Sequence, residues 1–413
     1  MYKHRTFLIA VIAFISILPA FSQNNTNSPY TRFGFGELSD NTTGEQRAMG
    51  GVSIGARSKS RINPVNPASY SVADSLTFMF DVGVSGLISH FSDNSGSEKT
   101  SFNSNLDYIT LQFRLFKGFG LSAGLLPYSF SGYNFYSTDS IVKNNESIYY
   151  QTSFFGTGGF SQVYFGLAGT LFNHVALGAN AYYMFGTYDN TRLVEYYDNS
   201  ITPASQINSI RANNFRFRFG AQFFNTFAEK HDVTLGVIYE PKTKFNGDIT
   251  RTTSAHEAKI DTLDNAFELP QMFGVGVFYK YNQKLSVGLD YSLQQWGDVK
   301  FYDVADTLSN RFKLSLGLEY QPDYKSRKYF SRVMYRAGFN MSDSYYRVGG
   351  ENPGKNFGIT FGVGLPLSST NKTLLNFAFE YGKVNSSKVL DENYFKFTFN
   401  VAFNETWFFK RKL

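Results

Sequence analysis

Asn214-Phe215-Arg216-Phe217-Arg218-Phe219-Gly220-Ala221-Gln222-Phe223 sets Phe215, Phe217, Phe219, Ala221 and Phe223 on one face of an extended chain and Arg216, Arg218, Gly220 and Gln222 on the other. A period of two is the signature of a β-strand, because successive side chains point to opposite faces. A soluble sheet also alternates, but its polar face lies in water, where small residues have no special value. Here glycine shares that face with arginine. Such a mixture suits the narrow, polar interior of a transmembrane barrel, with the phenylalanines turned towards acyl chains.

The same division extends along the chain. Leu285, Val287, Leu289, Tyr291 and Leu293 alternate with Ser286, Gly288, Asp290, Ser292 and Gln294; Phe312, Leu314, Leu316, Leu318 and Tyr320 alternate with Lys313, Ser315, Gly317 and Glu319. Roughly fourteen such segments run from Phe80 and Leu111 to Phe377 and Phe399, an even number that suits a bacterial barrel. The links alternate in length: short at Lys117-Gly118, Phe172 to His174 and Asn282-Gln283, longer and polar at Asp139 to Ser147, Asp189 to Ile207 and Thr250 to Asp264. Short periplasmic turns and long outer loops place both ends of the mature chain on the periplasmic side. The expected fold class is therefore all-β, a transmembrane antiparallel β-barrel of about fourteen strands. The last strand carries Phe395, Phe397, Phe399, Val401 and Phe403 at one parity, and Trp407 and Phe409 continue it as an aromatic girdle.

Composition agrees. Aromatic residues make up 18% of the 413, with 44 Phe and 28 Tyr, yet mean hydropathy is only −0.25. That is too aromatic for an ordinary soluble domain and too polar for helical spans. The chain has no cysteine, which excludes disulfides, thiolate metal sites and a lipid-bearing cysteine at a processed terminus. The formal charge of +6 is diffuse, densest at Lys410-Arg411-Lys412, and offers no basic stripe for nucleic acid.

The first residues read as an address. Lys3, His4 and Arg5 precede the apolar run Phe7 to Leu18 and then Ala20-Phe21-Ser22, the pattern of a secretory signal cleaved after Ser22. The run falls short of the roughly 20 apolar residues of a spanning anchor. The expected organisation is a signal peptide over 1–22, an N-terminal plug or hatch over 23–73 and the barrel over 74–413. The middle segment is rich in Asn, Ser, Gly, Arg and Pro and lacks period two, so it reads as a plug or lid, with a disordered tail as the competing reading.

Within it, Arg47-Ala48-Met49-Gly50-Gly51-Val52-Ser53-Ile54-Gly55 and then Asn66-Pro67-Ala68-Ser69 resemble the FadL-like long-chain fatty-acid transporter family of outer-membrane barrels. The resemblance implies a fourteen-strand barrel with an N-terminal hatch holding Arg47, Met49, Gly50, Gly51, Asn66, Pro67 and Ala68. It further implies an inward kink in the third strand that opens the wall sideways. The matching strand contains Leu126-Pro127-Tyr128, and proline, which donates no ladder hydrogen bond, suits such a break; a proline near a strand end is the plainer alternative. Met79 and Tyr108 are expected beside Leu126 and Tyr128 as apolar ligand contacts. The stretch Ser28 to Gly36 lengthens the N-terminus beyond the family's usual start and marks a divergent member.

Inward parity also collects charge: Arg114, Arg216, Arg218, Asp290, Glu319 and Arg336, with Asp81, Lys313, Glu380 and Lys396. Buried beside an acyl chain such groups are costly unless they pair or stay wet, which argues against an apolar pocket along the whole lumen. Two motif look-alikes point to no chemistry. Gly51-Val52-Ser53-Ile54-Gly55 matches a nucleophile elbow, but His90, His174, His231 and His256 fall in loops or turns with no third member placed by pattern. Gly349 to Lys355 matches the start of a phosphate loop, but Asn356 stands where Ser or Thr would bind magnesium. No catalytic residue, metal site or cofactor is expected. Two functions remain: passive transport of a hydrophobic or amphipathic, fatty-acid-like small molecule, or a non-conducting subunit of an outer-membrane assembly or secretion machine. Outer-membrane lipid is a partner under both.

Overall fold

Fourteen antiparallel strands close into one barrel in the computed structural model. The structure describes residues 25–93, 96–143, 145–198, 200–254, 258–264, 267–301, 308–348, 350, 353–367, 372–384 and 390–406. The signal-peptide expectation for 1–22 and the girdle and tail Trp407 to Leu413 lie outside them.

The wall consists of β1 (Thr77–Asp93), β2 (Glu98–Phe116), β3 (Phe119–Lys143), β4 (Glu146–Leu171), β5 (Val175–Tyr196), β6 (Ala204–Phe227), β7 (His231–Glu240), β8 (Met272–Tyr281), β9 (Leu285–Gln294), β10 (Arg311–Tyr320), β11 (Met334–Asp343), β12 (Lys355–Pro366), β13 (Leu374–Val384) and β14 (Leu390–Thr406). Each pairs with the next, and β14 closes on β1 through Phe399↔Val84 and its neighbours. Register follows the greasy face. Leu235, Val277, Leu289, Leu316, Phe339, Ile359, Tyr381, Phe395, Ile88 and Phe102 are successive cross-strand partners, an outward apolar row that crosses ten strands. A slip of one residue in any pair would turn that row inward, so the pattern itself fixes the pairing. In the decisive stretch Phe217 is 46% exposed while Arg218 is 4% exposed.

The short turns carry two successive left-handed residues at Phe172-Asn173, Ala228-Glu229 and Asn282-Gln283, the backbone shape of tight hairpins. The other end differs from expectation. Strands β3 to β6 run 25, 26, 22 and 24 residues, against 10 each for β7 to β11. About 9–11 tilted residues cross a bilayer, so the excess stands beyond the membrane as sheet. An outer hairpin, Thr243–Ser254 with Ala258–Asp264, adds to β6 from Asn213↔Asn246 to Ser205↔Ser254. Much of what reads as long polar loops is therefore ladder. Outside the membrane neither face must be apolar, so the alternation disappears while the backbone pairing persists.

Residues 25–73 run inside the barrel, with short helical turns at Gly44–Arg47 and Pro67–Val72. Where this N-terminal segment crosses the wall, the wall carries glycine. A Cβ on Gly120, Gly236, Gly317 or Gly338 would fall within 3.0 Å of backbone at Tyr70, Ile54, Met49 and Gly50 respectively. Close approach of two backbones explains the glycine on the inward parity.

Candidate functional site

Among the described residues the longest interruption of the wall lies between β2 and β3; a shorter one on β6 separates Phe219↔Tyr239 from Asn213↔Asn246. The β2–β3 ladder runs from Phe116↔Phe119 to Ile109↔Leu125, and beyond it the outer parts of the two strands have no pairing with each other. Two bulges flank this point. Asp107 is the extra residue of β2 opposite Gly83 and Val84, and Tyr128 is the extra residue of β3 opposite Ser161 and Phe160. A bulge bends its strand and sharpens its twist, so two at one height turn the strands apart. Leu126, Pro127, Tyr128 and Ser129 are all buried.

The N-terminal segment takes up the bared edge of β3. Glu37 and Leu38 pair with Phe130 and Ser129, Ser39 N donates to Tyr128 O at 2.9 Å, and Gly132 N donates to Thr31 Oγ1 at 3.2 Å. On the β2 side Asn27 Nδ2 donates to Asn103 Oδ1 at 3.1 Å and Asn105 Nδ2 to Asn25 O at 2.9 Å. All these contacts are uncharged.

Further down, the segment is held by charge. Arg61 grips Glu319 with Nη1 and Nη2 at 2.8 and 3.0 Å and reaches Glu45 at 3.0 Å, while Arg336 Nε donates to the same Glu319 at 2.8 Å. Burial alone would lower the Arg61 guanidinium, but Glu319 and Glu45 outweigh it and hold it above its ordinary range. Asp290 Oδ2 accepts the backbone N–H groups of Ser53 and Ile54 at 2.6 and 2.7 Å. Arg47 pairs with the bulge residue Asp107 at 2.7 Å. Asp40 pairs with Lys313 and Arg311. Burial raises the Asp40 carboxyl, yet those two cations more than offset it and hold it well below the usual carboxylate range. A polar chamber of about 200 Å³ remains between segment and wall, lined by Glu37, Asp40, Arg47, Lys313, Glu392 and Lys396 among others.

The residues singled out in the sequence fall as follows. Gly50 and Gly51 have φ of +66° and +89°, a left-handed pair after the short helix that side chains resist, and Gly50 N donates to Thr360 Oγ1 at 2.9 Å. Met49 is buried against Gly317. Asn66 caps the turn Pro67–Val72 by accepting Ala68 N at 3.1 Å and donates to Ile54 O at 2.8 Å, and Pro67 and Ala68 lie against Gly178. Arg216 and Arg218 both pair with Glu240, and Arg218 also donates to Val65 O at 3.1 Å. The four expected apolar contacts are not brought together. Tyr108 and Leu126 pack with Tyr70, Tyr164 and Tyr182, Tyr128 joins an outer aromatic cluster with Tyr30, Phe35 and Trp296, and Met79 packs with Ile62 and Ala73. Arg114 takes no part in the lumen pairs; two residues from the end of β2, it donates to Phe116 O at 3.1 Å. His90 lies within β1 and His231 opens β7 rather than sitting in loops, His174 is in a turn, and His256 lies outside the described residues. Of the phosphate-loop look-alike, 349, 351 and 352 lie outside them too, and Lys355 opens a strand.

Sequence reasoning missed Asp107, the segment's own Asp40, Glu45 and Arg61, and the outer aromatic cluster. One signal for the bulge was present: Leu106 and Ile109 both face outward although three residues apart, which a regular strand forbids.

Three comparisons bear on this architecture. The BamG family model matches residues 1–413. No curated protein matches the chain. Among solved structures, the Ralstonia pickettii toluene transporter TbuX superposes with a TM-score of 0.59 at 14% identity, covering 87% of this chain and 97% of that one. The P. putida toluene transporter TodX gives 0.56 at 15%, covering 87% and 97%. A Pseudomonas aeruginosa FadL homologue gives 0.59 at 12%, covering 89% and 98%. At these identities the likeness is one of fold, and the fold is that of FadL-like barrels.

Proposed function

The chain belongs to the BamG family, and from that premise and its FadL-like barrel we propose a bacterial outer-membrane protein that passes hydrophobic or amphipathic small molecules sideways through the break between β2 and β3. One observation carries the reading: the ladder stops at Ile109↔Leu125, and what covers the gap above it is the N-terminal segment, whose stretch before Asp40 meets the edges of β2 and β3 through uncharged hydrogen bonds. The segment acts as a plug of two parts. Residues beyond about Asp40 stay anchored by buried ion pairs, while the stretch before it withdraws from the β3 edge and uncovers Leu126, Pro127 and Tyr128, with Tyr108 beside them. A molecule with an acyl chain or aromatic ring would follow this route, since the charged lumen beneath offers no apolar path. TbuX and TodX, which are toluene transporters, share the fold that supports this reading.

The test uses the absence of cysteine. Leu38 and Ser129 are cross-strand partners, so Leu38→Cys with Ser129→Cys gives the sole thiol pair in the chain. Oxidation is expected to stop oleate and toluene entry into proteoliposomes and reduction to restore it. Equal entry in both states removes the proposal.

A second reading is favoured by the sheet that β3 to β6 raise beyond the membrane. Tyr136 and Val142 are 68% and 70% exposed there, on a strand whose outer edge is unpaired. A barrel serving as a subunit of an outer-membrane assembly or secretion machine would use such an edge to dock a partner. A stoichiometric partner after mild detergent extraction, together with no solute entry, would favour this reading over the first.

A further inference from the structure

On the inner face of that raised sheet lies a cavity of about 290 Å³ lined by Arg32, Arg192 and Arg251 with Tyr133, Phe154, Asn190, Gln206 and Asn208. We infer that it is a binding site for a small soluble anionic saccharide, phosphorylated or carboxylated, reached from outside the cell.

Strands β3 to β6, the first strand of the outer hairpin and the N-terminal segment build it. Phe154, Arg192 and Gln206 are successive cross-strand partners, and Asn190, Asn208 and Arg251 form a parallel row two residues away. Side chains at these paired positions share a face, so the rows present two guanidiniums and three amides to one space. Arg32 enters from the segment, its guanidinium 4.0 Å from the centroid of the Phe154 ring.

The charge balance points to an anion. Arg251 Nε donates to Asn208 Oδ1 at 3.1 Å, and Arg192 makes neither an ion pair nor a hydrogen bond among the described residues. No carboxylate is among the described residues that line the cavity. Burial lowers the Arg32 guanidinium from its ordinary value; Tyr133 and Tyr188 oppose this, and the positive charge of Arg192 adds to it. Among the described side chains the three like charges have no carboxylate partner and repel one another, and an anion bound among them relieves that repulsion; a guanidinium fork takes phosphate or carboxylate oxygens in pairs. This contrasts with the lumen below, where Arg61, Arg216, Arg218 and Arg336 all have carboxylates.

Size and lining narrow the class. The volume is near the lower end of ordinary ligand pockets, roughly 300–1,000 Å³. Asn190 Oδ1 accepts from the Tyr133 hydroxyl and Asn208 Oδ1 from Gln206 Nε2 and Arg251 Nε, which leaves the Asn190 and Asn208 amide N–H groups and the Gln206 carbonyl as donors and acceptors that suit sugar hydroxyls. The site faces the barrel axis, away from lipid, so a headgroup of the surrounding leaflet is not in reach and a soluble ligand is.

Calorimetric titration of the full-length protein in a nonionic detergent tests this, with glucose 6-phosphate and glucuronate as probes and glucose and inorganic phosphate as controls. Glucose 6-phosphate or glucuronate is expected to bind at least about tenfold more tightly than either control, and Arg192→Gln with Arg251→Gln to weaken that binding by about tenfold or more, the scale of losing a charge-assisted hydrogen bond. Arg192→Lys retains part of the affinity. The heat-modified gel mobility of the folded barrel checks that the double variant is folded, and its oleate entry stays at the unsubstituted level, which separates this site from the wall break. Glucose binding as tightly as its phosphate, inorganic phosphate binding as tightly as either probe, no binding of either probe, or an unchanged affinity in the folded double variant would each overturn the assignment.

Discussion

The arc of wall from β7 to β11 and the arc from β1 to β4 obey the same two-residue alternation, yet they meet the N-terminal segment with a different balance of charged and neutral contacts. The first arc is built of ten-residue strands in uninterrupted register and holds the segment by buried charge, through Asp290, Glu319 and Arg336, and by the more exposed pairs of Asp40 with Arg311 and Lys313. The second is built of long strands, carries both bulges and the interrupted ladder, and meets the segment's beginning through amide and hydroxyl contacts, with one buried ion pair, Arg47 to Asp107, at the bulge below them. Separating a buried ion pair leaves a charge without a partner, whereas a backbone amide or a hydroxyl can exchange its partner for water. One arc is thus suited to anchoring and the other to opening.

The sharpest way to break this comparison is to empty the anchor. Glu319→Ala leaves Arg61 and Arg336 facing each other with only Glu45 between them. Loss of one member of a buried charge cluster costs about 3–5 kcal/mol. Urea unfolding of the refolded barrel in micelles is expected to register that loss; a change below about 1 kcal/mol would mean that the segment is not anchored there. Overpacking comes next. Gly338→Val drives a side chain into the backbone of Met49 and Gly50, with an expected cost of about 1–3 kcal/mol by the same measurement.

Acid should loosen the anchor at a predictable point. Asp40 has its carboxyl depressed in the folded protein, so its contribution is fully present above the unfolded carboxylate value, about 4, and is lost only as pH falls below it. Hydrogen exchange at residues 39–42 is expected to keep the same protection from pH 7 to pH 5 once intrinsic rates are corrected, and to lose it under stronger acid. Loss already at pH 6 would mean that Asp40 is not held by Lys313 and Arg311.

How far each arc could be read from the sequence differs for a physical reason. All fourteen segments found by parity coincide with barrel strands, because facing lipid imposes the same rule on every strand wherever it sits in the chain. Parity also sends Arg216, Arg218, Asp290, Glu319 and Arg336 inward, where they are buried. It does not say what they meet: Arg61 lies 258 residues from Glu319, and Ser53 lies 237 from Asp290. The outer ladders have the sequence of loops because water, unlike lipid, leaves no mark on alternate residues. Of the break itself, Pro127 was visible, while Asp107 showed only as a phase slip between Leu106 and Ile109.

The smallest expected effect separates these two causes of the break. If proline alone opened the wall, Pro127→Ala would restore a ladder donor and let β2 and β3 zip upward past Leu125. The geometry argues otherwise: Tyr128, not Pro127, is the extra residue of the bulge, Asp107 bulges independently on the facing strand, and the freed edge is already taken by Leu38 and Ser39. Pro127→Ala is therefore expected to change stability by no more than about 0.5 kcal/mol and to leave the amides of Phe102 to Leu106 exchanging as before. New protection at those amides would show that proline holds the wall open, and the two arcs would then differ by a single residue rather than by two bulges and the segment between them.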